Sequence, residues 1–123
     1  MEPARVLIVD DLPFMRSVLR DALAGSGFAL AGEAANGLEG LRAYLRLRPD
    51  LVLLDIVMPV MDGITALEKL LQRDPGARVV MCSALGEQNM IIRAIRLGAK
   101  DFVVKPFKPE RVVSALRLAL NRK

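Results

Sequence analysis

Leu51-Val52-Leu53-Leu54-Asp55-Ile56-Val57-Met58-Pro59 places one carboxylate inside an otherwise unbroken apolar run. The four apolar residues before the acid predict a strand that is buried on both faces, as in a parallel sheet covered by helices. Because Pro59 cannot donate a hydrogen bond to a sheet and Asp62-Gly63 is a turn pair, the strand must end within a few residues of Asp55. A charge at the end of a buried strand requires a cation, hydrogen bonds or a function to explain it.

The chain on either side of this run alternates between strand and helix patterns. Apolar runs predict strands at residues 5–9, 28–34, 51–55, 79–82 and 101–104. Apolar residues at spacings of three and four predict helices that begin near residues 13, 38, 64, 87 and 109. Gly25-Ser26-Gly27, Pro49, Asp74-Pro75-Gly76 and Gly98 end the first four helices. Strict alternation of this kind predicts an α/β domain with one parallel sheet and helices on both faces.

The strand ends carry the polar residues. In the five-stranded order 2-1-3-4-5, ligands bind outside the carboxyl ends of the strands, between the first and third strands. Asp10 and Asp11 follow the first strand, and Asp55 ends the third. Ser83 follows the fourth strand and Lys105 follows the fifth. We therefore expect these five side chains to meet at one edge of the sheet.

Length and composition limit the possible classes of protein. A chain of 123 residues with 53% hydrophobic residues predicts a single domain over residues 1–123. No apolar stretch approaches the ~20 residues of a membrane span, and the start of the chain lacks a signal peptide, so we expect a cytoplasmic protein without membrane contact. The single cysteine, Cys82, excludes an internal disulfide and a multi-cysteine zinc site. The absence of histidine excludes Ser-His and Cys-His nucleophile pairs and a phosphohistidine.

The excess of positive charge does not indicate a nucleic-acid-binding protein. The chain has 18 lysine and arginine residues and 14 aspartate and glutamate residues. The basic residues are spread over several amphipathic segments and lack interleaved aromatic residues, which indicates a solvated surface. We therefore expect no direct nucleic-acid partner.

The predicted cluster suits phosphoryl chemistry. Three carboxylates in close proximity repel one another, so their coexistence calls for a hard divalent cation. All-oxygen ligands without histidine or cysteine favour Mg²⁺. Asp55 is placed to attack phosphorus, Lys105 offers a positive charge to the transferred group, and Ser83 can donate a hydrogen bond to a phosphoryl oxygen.

Several short motifs occur in one order along nearly the whole chain. They are Val6-Leu7-Ile8-Val9-Asp10-Asp11, Leu54-Asp55-Ile56-Val57-Met58-Pro59, Asp62-Gly63, Gly98-Ala99-Lys100-Asp101-Phe102 and Val104-Lys105-Pro106-Phe107. With these motifs the sequence resembles the receiver domains of two-component response regulators, in particular the single-domain chemotaxis regulators of the CheY type. Receiver domains are a known example of the flavodoxin-like strand order 2-1-3-4-5, so the predicted topology is not independent of the resemblance.

The resemblance implies a role for each site residue. Asp55 would accept a phosphoryl group from the phosphohistidine of a sensor histidine kinase of the CheA type. Asp11 and Asp55 would bind Mg²⁺ together with the backbone carbonyl of Val57, and Asp10 would contribute through water. Lys105 would contact the phosphate, and its peptide bond to Pro106 is expected to be cis. On this reading the protein is not an enzyme acting on other molecules, because it catalyses only its own phosphorylation and slow dephosphorylation.

The resemblance also implies a conformational switch. Ser83 would move toward the phosphoryl group and Phe102 would rotate inward, which would remodel the face formed by the fourth helix, the fifth strand and the fifth helix. A flagellar motor switch protein or another output partner would read this face, and a phosphatase is a further possible partner. We expect a monomer, because a lone receiver domain has no evident dimer interface.

Other readings fit the residues less well. A haloacid-dehalogenase-type hydrolase needs a second acid where Val57 stands, and a dinucleotide site needs a third glycine where Leu30 stands. A receiver domain cut from a longer transcription factor or enzyme remains an open alternative. Because Asn121-Arg122-Lys123 follows the last predicted helix directly, we favour a stand-alone regulator.

Overall fold

A computed structural model describes residues 2–121, in which five strands alternate with five helices. The strands are β1 (Arg5–Val9), β2 (Ala29–Ala34), β3 (Leu51–Asp55), β4 (Val79–Ser83) and β5 (Asp101–Val104). The helices are α1 (Pro13–Leu23), α2 (Gly37–Leu47), α3 (Gly63–Arg73), α4 (Gln88–Leu97) and α5 (Pro109–Asn121). Each predicted strand and helix is present. Met1, Arg122 and Lys123, which belong to the predicted domain of residues 1–123, lie outside the described residues.

The strands form one parallel sheet in the order β2-β1-β3-β4-β5, which confirms the predicted topology. The predicted second strand is one residue too long at its start. Pairing with the first strand begins at Ala29, whose amide donates to the carbonyl of Ala4 at 2.8 Å. The amide of Phe28 instead donates to the hydroxyl of Ser26 at 3.2 Å, so Phe28 belongs to the preceding turn.

The central strand β3 is buried on both faces, as its apolar run predicts. Val52 and Leu54 pack into one core cluster with residues of α2 and α3. Leu51 and Leu53 pack into a second cluster with residues of α1 and α5. All four are at most 1% exposed. This double burial holds the carboxyl end of β3 rigidly and so positions Asp55 at the edge of the sheet.

The loop between β3 and α3 is fixed at several points. The amide of Gly63 donates to the carbonyl of Ile56 at 2.7 Å, and the amide of Gly37 at the start of α2 donates to the carbonyl of Met61 at 2.9 Å. Asp62 is the N-cap of α3, and its side chain accepts a hydrogen bond from the amide of Thr65 at 2.8 Å. The loop beside Asp55 is therefore tied to two helices.

Replacing the N-cap Asp62 by alanine should lower the free energy of unfolding by about 1 kcal/mol, because the amide of Thr65 loses its acceptor at the helix start. Asp62→Asn should keep most of that stability, since the amide oxygen of asparagine also caps helices well. Urea denaturation monitored by circular dichroism measures both values. Equal losses in the two variants would contradict the capping role.

None of the helices within residues 2–121 has both the length and the apolar character required to cross a bilayer. Cys82 lies buried in β4 as a free thiol, and burial raises the pKa of that thiol.

Candidate functional site

Three carboxylates meet where β1 and β3 end. Asp10 directly follows β1, and Asp55 is the last residue of β3, which is the neighbour of β1 in the sheet. Asp10, Asp11 and Asp55 each offer a carboxylate oxygen, and these atoms lie within 4.8 Å of one another. Asp10 is fully buried, Asp55 is 6% exposed, and Asp11 is partly exposed. The predicted acidic cluster is therefore present, and it opens to solvent on the side of Asp11.

Lys105 joins the cluster from the end of β5. Its Nζ atom lies 3.1 Å from Oδ2 of Asp10 and 3.3 Å from Oδ1 of Asp55. The backbone amide of Lys105 donates to the carbonyl of Ser83 at 2.7 Å, which ties the residue to β4. The peptide bond from Lys105 to Pro106 is cis, as the resemblance implies. One ammonium group thus bridges two of the three carboxylates.

Burial and charge together perturb the ionisation of this cluster. Burial and, to a smaller extent, the negative charge of Asp10 raise the pKa of the Asp55 carboxyl to about 6, although the ammonium of Lys105 opposes both effects. Burial by itself lowers the pKa of Lys105, but the carboxylates of Asp55 and Asp10 outweigh it and raise that pKa above its usual value. The site therefore holds more negative charge than Lys105 can balance.

The donor set of this site fits Mg²⁺. Within residues 2–121 the grouped ligand atoms are all carboxylate oxygens, which suit a hard divalent cation better than a transition metal. A bound cation would also relieve the repulsion that raises the pKa of Asp55. Asp10, Asp11 and Asp55 are the side chains that can hold it. The contribution of the Val57 carbonyl stays a prediction.

Ser83 has a buried hydroxyl group that lacks a partner. The residue is fully buried, and its Oγ atom forms no hydrogen bond within the part of the chain that the structure describes. It follows Cys82, which is the register partner of Asp55 in the neighbouring strand. A buried hydroxyl without a partner is costly and calls for an explanation. Ser83 is thus available to donate a hydrogen bond to a group that arrives beside Asp55.

An apolar groove runs between α4 and β5. It has a volume of about 520 Å³, and its lining residues are Gln88, Ile91, Ile92, Ile95, Arg96, Phe102 and Val104. Within residues 88–97, Ala94 is the only buried side chain of α4. Phe102 is partly buried and packs against the core cluster shared with α2 and α3. The apolar residues of α4 therefore extend beyond its packed side.

The roles that two residues play in positioning the site were not predicted from the sequence. The side chain of Arg16 donates to the backbone carbonyl of Asp10 at 2.6 Å and holds the turn after β1. Gly63 approaches β3 so closely that a Cβ atom there would lie 2.0 Å from the carbonyl oxygen of Asp55. The turn pair Asp62-Gly63 shows where the strand ends, but no sequence signal reports this contact.

Comparison with known proteins agrees with the resemblance that the sequence motifs indicate. The family model described as the response regulator receiver domain matches residues 6–117. Chemotaxis protein CheY of Thermotoga maritima is 54% identical over 112 residues, which cover 91% of this chain and 93% of that protein. Chemotaxis protein CheY of Bacillus subtilis is 52% identical over 117 residues, which cover 95% of this chain and 98% of that protein.

Comparison with solved structures agrees with the family match. The fold is similar to a chain in the crystal structure of the CheX-CheY-BeF3-Mg complex from Borrelia burgdorferi, with a TM-score of 0.92 and 38% identity. That alignment covers 98% of this chain and 91% of the other. The five-stranded sheet and the helices on both of its faces are thus shared along almost the entire chain.

Proposed function

The chain belongs to the response regulator receiver family, and on this premise we propose that it is a phosphorylation-activated signalling switch whose phosphoacceptor is Asp55. The observation that carries the proposal is the position of Asp55 at the end of β3, with Nζ of Lys105 at 3.3 Å and two further carboxylates beside it. The family consists of signalling switches rather than enzymes that act on other molecules. We also propose that residues 1–123 form a single receiver domain, since the family match spans residues 6–117.

The proposed reaction is a phosphoryl transfer to Asp55. A carboxylate oxygen of Asp55 forms the new bond to phosphorus, and the phosphorus–nitrogen bond of the donor phosphohistidine breaks, with its electron pair leaving on the imidazole. Lys105 neutralises charge on the transferred group, and Ser83 donates a hydrogen bond to one of its oxygens. Alignment and charge neutralisation are the main contributions that a protein makes to such a reaction.

Receiver domains bind Mg²⁺ at an aspartate cluster, and the cluster here fits that ion. We propose that Asp11 and Asp55 bind it directly with the carbonyl of Val57, and that Asp10 contributes through water. When bound, the ion supplies positive charge that balances the oxygens of the phosphoryl group. The Borrelia complex includes both Mg and BeF3, which supports a site for a cation and a phosphoryl-like group in that relative.

The proposed output surface is the face formed by α4, β5 and α5. Phosphorylation would draw the Ser83 hydroxyl toward the new group and move Phe102 inward, which would reshape the apolar groove beside it. A ligand shifts such a two-state equilibrium only by the difference in its contacts with the two states. Within residues 2–121 the hydroxyl of Ser83 has no hydrogen-bond partner, and an oxygen of the phosphoryl group would supply one, which supports this role.

The CheY relatives support a role in chemotaxis. We propose a sensor histidine kinase of the CheA type as the phosphodonor, and a flagellar motor switch protein or another output protein as the reader of the α4, β5 and α5 face. A phosphatase is a third proposed partner. The CheX-CheY complex from Borrelia supports the existence of such further partners, because a relative of this chain is bound there to a second protein.

The chain should gain the mass of one phosphoryl group when it is incubated with acetyl phosphate and Mg²⁺. Asp55→Asn should gain none, because its amide is not a competent nucleophile. Asp62→Asn changes an exposed carboxylate at the start of α3, and this variant should be phosphorylated to the same extent as the wild-type chain. Intact-mass spectrometry measures all three. Phosphorylation of Asp55→Asn at the wild-type level would refute the assignment of the acceptor.

A further inference from the structure

A cleft of about 460 Å³ opens between α1 and α2, beside the carboxyl end of β2. Its charged lining residues are Arg16 of α1, Glu33 of β2, and Glu39, Arg42 and Arg46 of α2. The three aspartates of the acidic cluster do not line it. Its volume falls within the roughly 300–1,000 Å³ that is usual for small-molecule sites. The cleft is therefore large enough for a ligand of the size of a nucleotide.

Both carboxylates of the cleft are already engaged by other groups. Oε1 of Glu33 lies 3.5 Å from Nε of Arg16, and Oε2 lies 2.7 Å from Nη1 of Arg20. Oε2 of Glu39 accepts a hydrogen bond from the amide of Ala35 at 3.1 Å. One glutamate is thus shared by two arginines, and the other holds the turn before α2.

Arg42 and Arg46 are exposed arginines without a counter-charge. They lie one turn apart on α2, where two like charges repel each other and weaken a helix. Neither forms a salt bridge or a side-chain hydrogen bond within residues 2–121. The helix dipole favours a cation only in the last turn, which contains Arg46 but not Arg42. Charge pairing within the described chain therefore does not account for this pair.

Three alanines form the floor of the cleft. Ala34 ends β2, Ala35 follows it, and Ala43 lies on α2. Ala34 and Ala43 are 7% and 5% exposed and belong to a core cluster, so the floor is the outer surface of that core. Such small side chains leave the volume of the cleft open. A smooth apolar floor suits a flat organic group better than a bare ion.

We propose that this cleft binds an organic diphosphate, the class to which nucleoside diphosphates belong. Arg42 and Arg46 hold the two phosphoryl groups, and the alanine floor packs against the organic part of the ligand. The inference goes beyond the proposed function, because it concerns a second site and requires no phosphorylation of Asp55.

The chemistry of arginine explains the choice of ligand. Each guanidinium group can donate two parallel hydrogen bonds to a phosphoryl group. Side chains one helical turn apart have Cβ atoms about 5–6 Å from each other, which brings Arg42 and Arg46 within reach of two linked phosphoryl groups. A diphosphate also carries enough negative charge to neutralise both guanidinium groups. Binding therefore removes the repulsion between the two arginines.

Isothermal titration calorimetry tests the site with ADP, GDP, CDP and UDP, and with pyrophosphate and citrate as comparison anions. A chelator and one constant ionic strength keep Mg²⁺ and charge screening from contributing. The cleft variant is Arg42→Gln/Arg46→Gln. Its matched control is Arg93→Gln/Arg96→Gln, which removes the same charge from two exposed arginines of α4, a helix that packs against α3 and does not line the cleft. Lys105→Gln tests for binding at the acidic cluster instead.

At least one nucleoside diphosphate should bind the wild-type chain with a dissociation constant below about 1 mM, and more tightly than pyrophosphate or citrate does. Arg42→Gln/Arg46→Gln should weaken this binding at least about tenfold, because it removes the charge-assisted hydrogen bonds to the phosphoryl groups. The α4 double variant and Lys105→Gln should bind as the wild-type chain does. Urea denaturation should find the cleft variant at least as stable as the wild-type chain, since a like-charge pair is removed.

Four results would overturn the inference. Absence of binding by all four nucleoside diphosphates would remove the site. Binding of pyrophosphate or citrate as tight as that of the best nucleoside diphosphate would indicate a general attraction for anions. Loss of binding in Lys105→Gln, but not in the cleft variant, would place the ligand at the acidic cluster. A less stable cleft variant would mean that the two arginines serve the fold.

Discussion

Gly63→Ala should lower the free energy of unfolding by about 3 kcal/mol or more, even though alanine is intrinsically the better residue in a helix. The added Cβ atom would lie 2.0 Å from the carbonyl oxygen of Asp55 and 2.9 Å from the Cα atom of Ile56. Both neighbours are backbone atoms of the buried strand β3 and its end, so they cannot move aside as a flexible side chain could. The helix α3 and the strand must therefore separate, and the core between them loses contacts.

Gly63→Ala should also impair the proposed phosphoacceptor Asp55. The hydrogen bond from the Gly63 amide to the Ile56 carbonyl holds the chain directly after Asp55, and separation of α3 from β3 would break it. We therefore expect slower phosphorylation by acetyl phosphate in whatever fraction of Gly63→Ala remains folded. Urea denaturation and intact-mass kinetics measure the two effects.

Gly76→Ala is the matched control for this prediction. Gly76 lies in the exposed turn after α3, its φ angle is not positive, and a Cβ atom there would meet Oδ1 of Asp74 at an ordinary 3.5 Å. The free energy of unfolding and the phosphorylation rate of Gly76→Ala should stay close to those of the wild-type chain. If Gly63→Ala were as stable as Gly76→Ala, the close approach of α3 to β3 would not constrain the site.

In contrast to Gly63→Ala, Asp55→Asn should stabilise the fold. It should raise the free energy of unfolding at pH 7, in the absence of divalent cations, by about 1–3 kcal/mol. Burial raises the pKa of the Asp55 carboxyl from 3.8 to about 6 in the folded protein. The folded state therefore binds this proton more tightly than the unfolded state does, and ionisation of Asp55 destabilises the fold. Asparagine has a similar shape and removes the charge, so it removes this penalty.

The pH dependence follows from the sign of that shift. Below 3.8 the carboxyl is protonated in both states, and the difference in stability between Asp55→Asn and the wild-type chain should vanish. The difference should grow as the pH rises from 3.8 to about 6 and stay constant above that. Urea denaturation with a chelator at several pH values measures it, with Asp62→Asn as the control for an exposed carboxylate. A variant less stable than the wild-type chain at pH 7 would contradict the electrostatic account.

Magnesium should reduce the difference in unfolding free energy between Asp55→Asn and the wild-type chain. A cation that binds the folded wild-type cluster stabilises it by mass action, whereas Asp55→Asn has lost one of its ligands. Asp10 and Asp11 remain in the variant, so some binding is expected to persist. Added Mg²⁺ should therefore raise the unfolding free energy of the wild-type chain more than that of Asp55→Asn.

The predicted fold follows from local patterns. The apolar run that ends at Asp55 identifies a strand buried on both faces, and the alternation of strands and helices then leaves few possible topologies. Errors are confined to element ends, as at Phe28, where a hydrogen bond to Ser26 competes with strand pairing. The ends of strands and helices are hard to predict, because placing a terminal residue in the strand or in the adjoining turn changes only a single hydrogen bond.

The sequence by itself determined which side chains follow the strands, because the period of apolar residues and the turn residues are local properties of the chain. It therefore placed Asp10, Asp11, Asp55, Ser83 and Lys105 at one edge of the sheet. Only the tertiary structure decided that Lys105 bridges Asp10 and Asp55, that the hydroxyl of Ser83 is left without a partner within residues 2–121, and that Val60 adopts a positive φ angle. The Lys105 bridge joins residues that are 95 and 50 positions apart, and all three features depend on sheet register and helix packing to within fractions of an ångström, which no local pattern encodes.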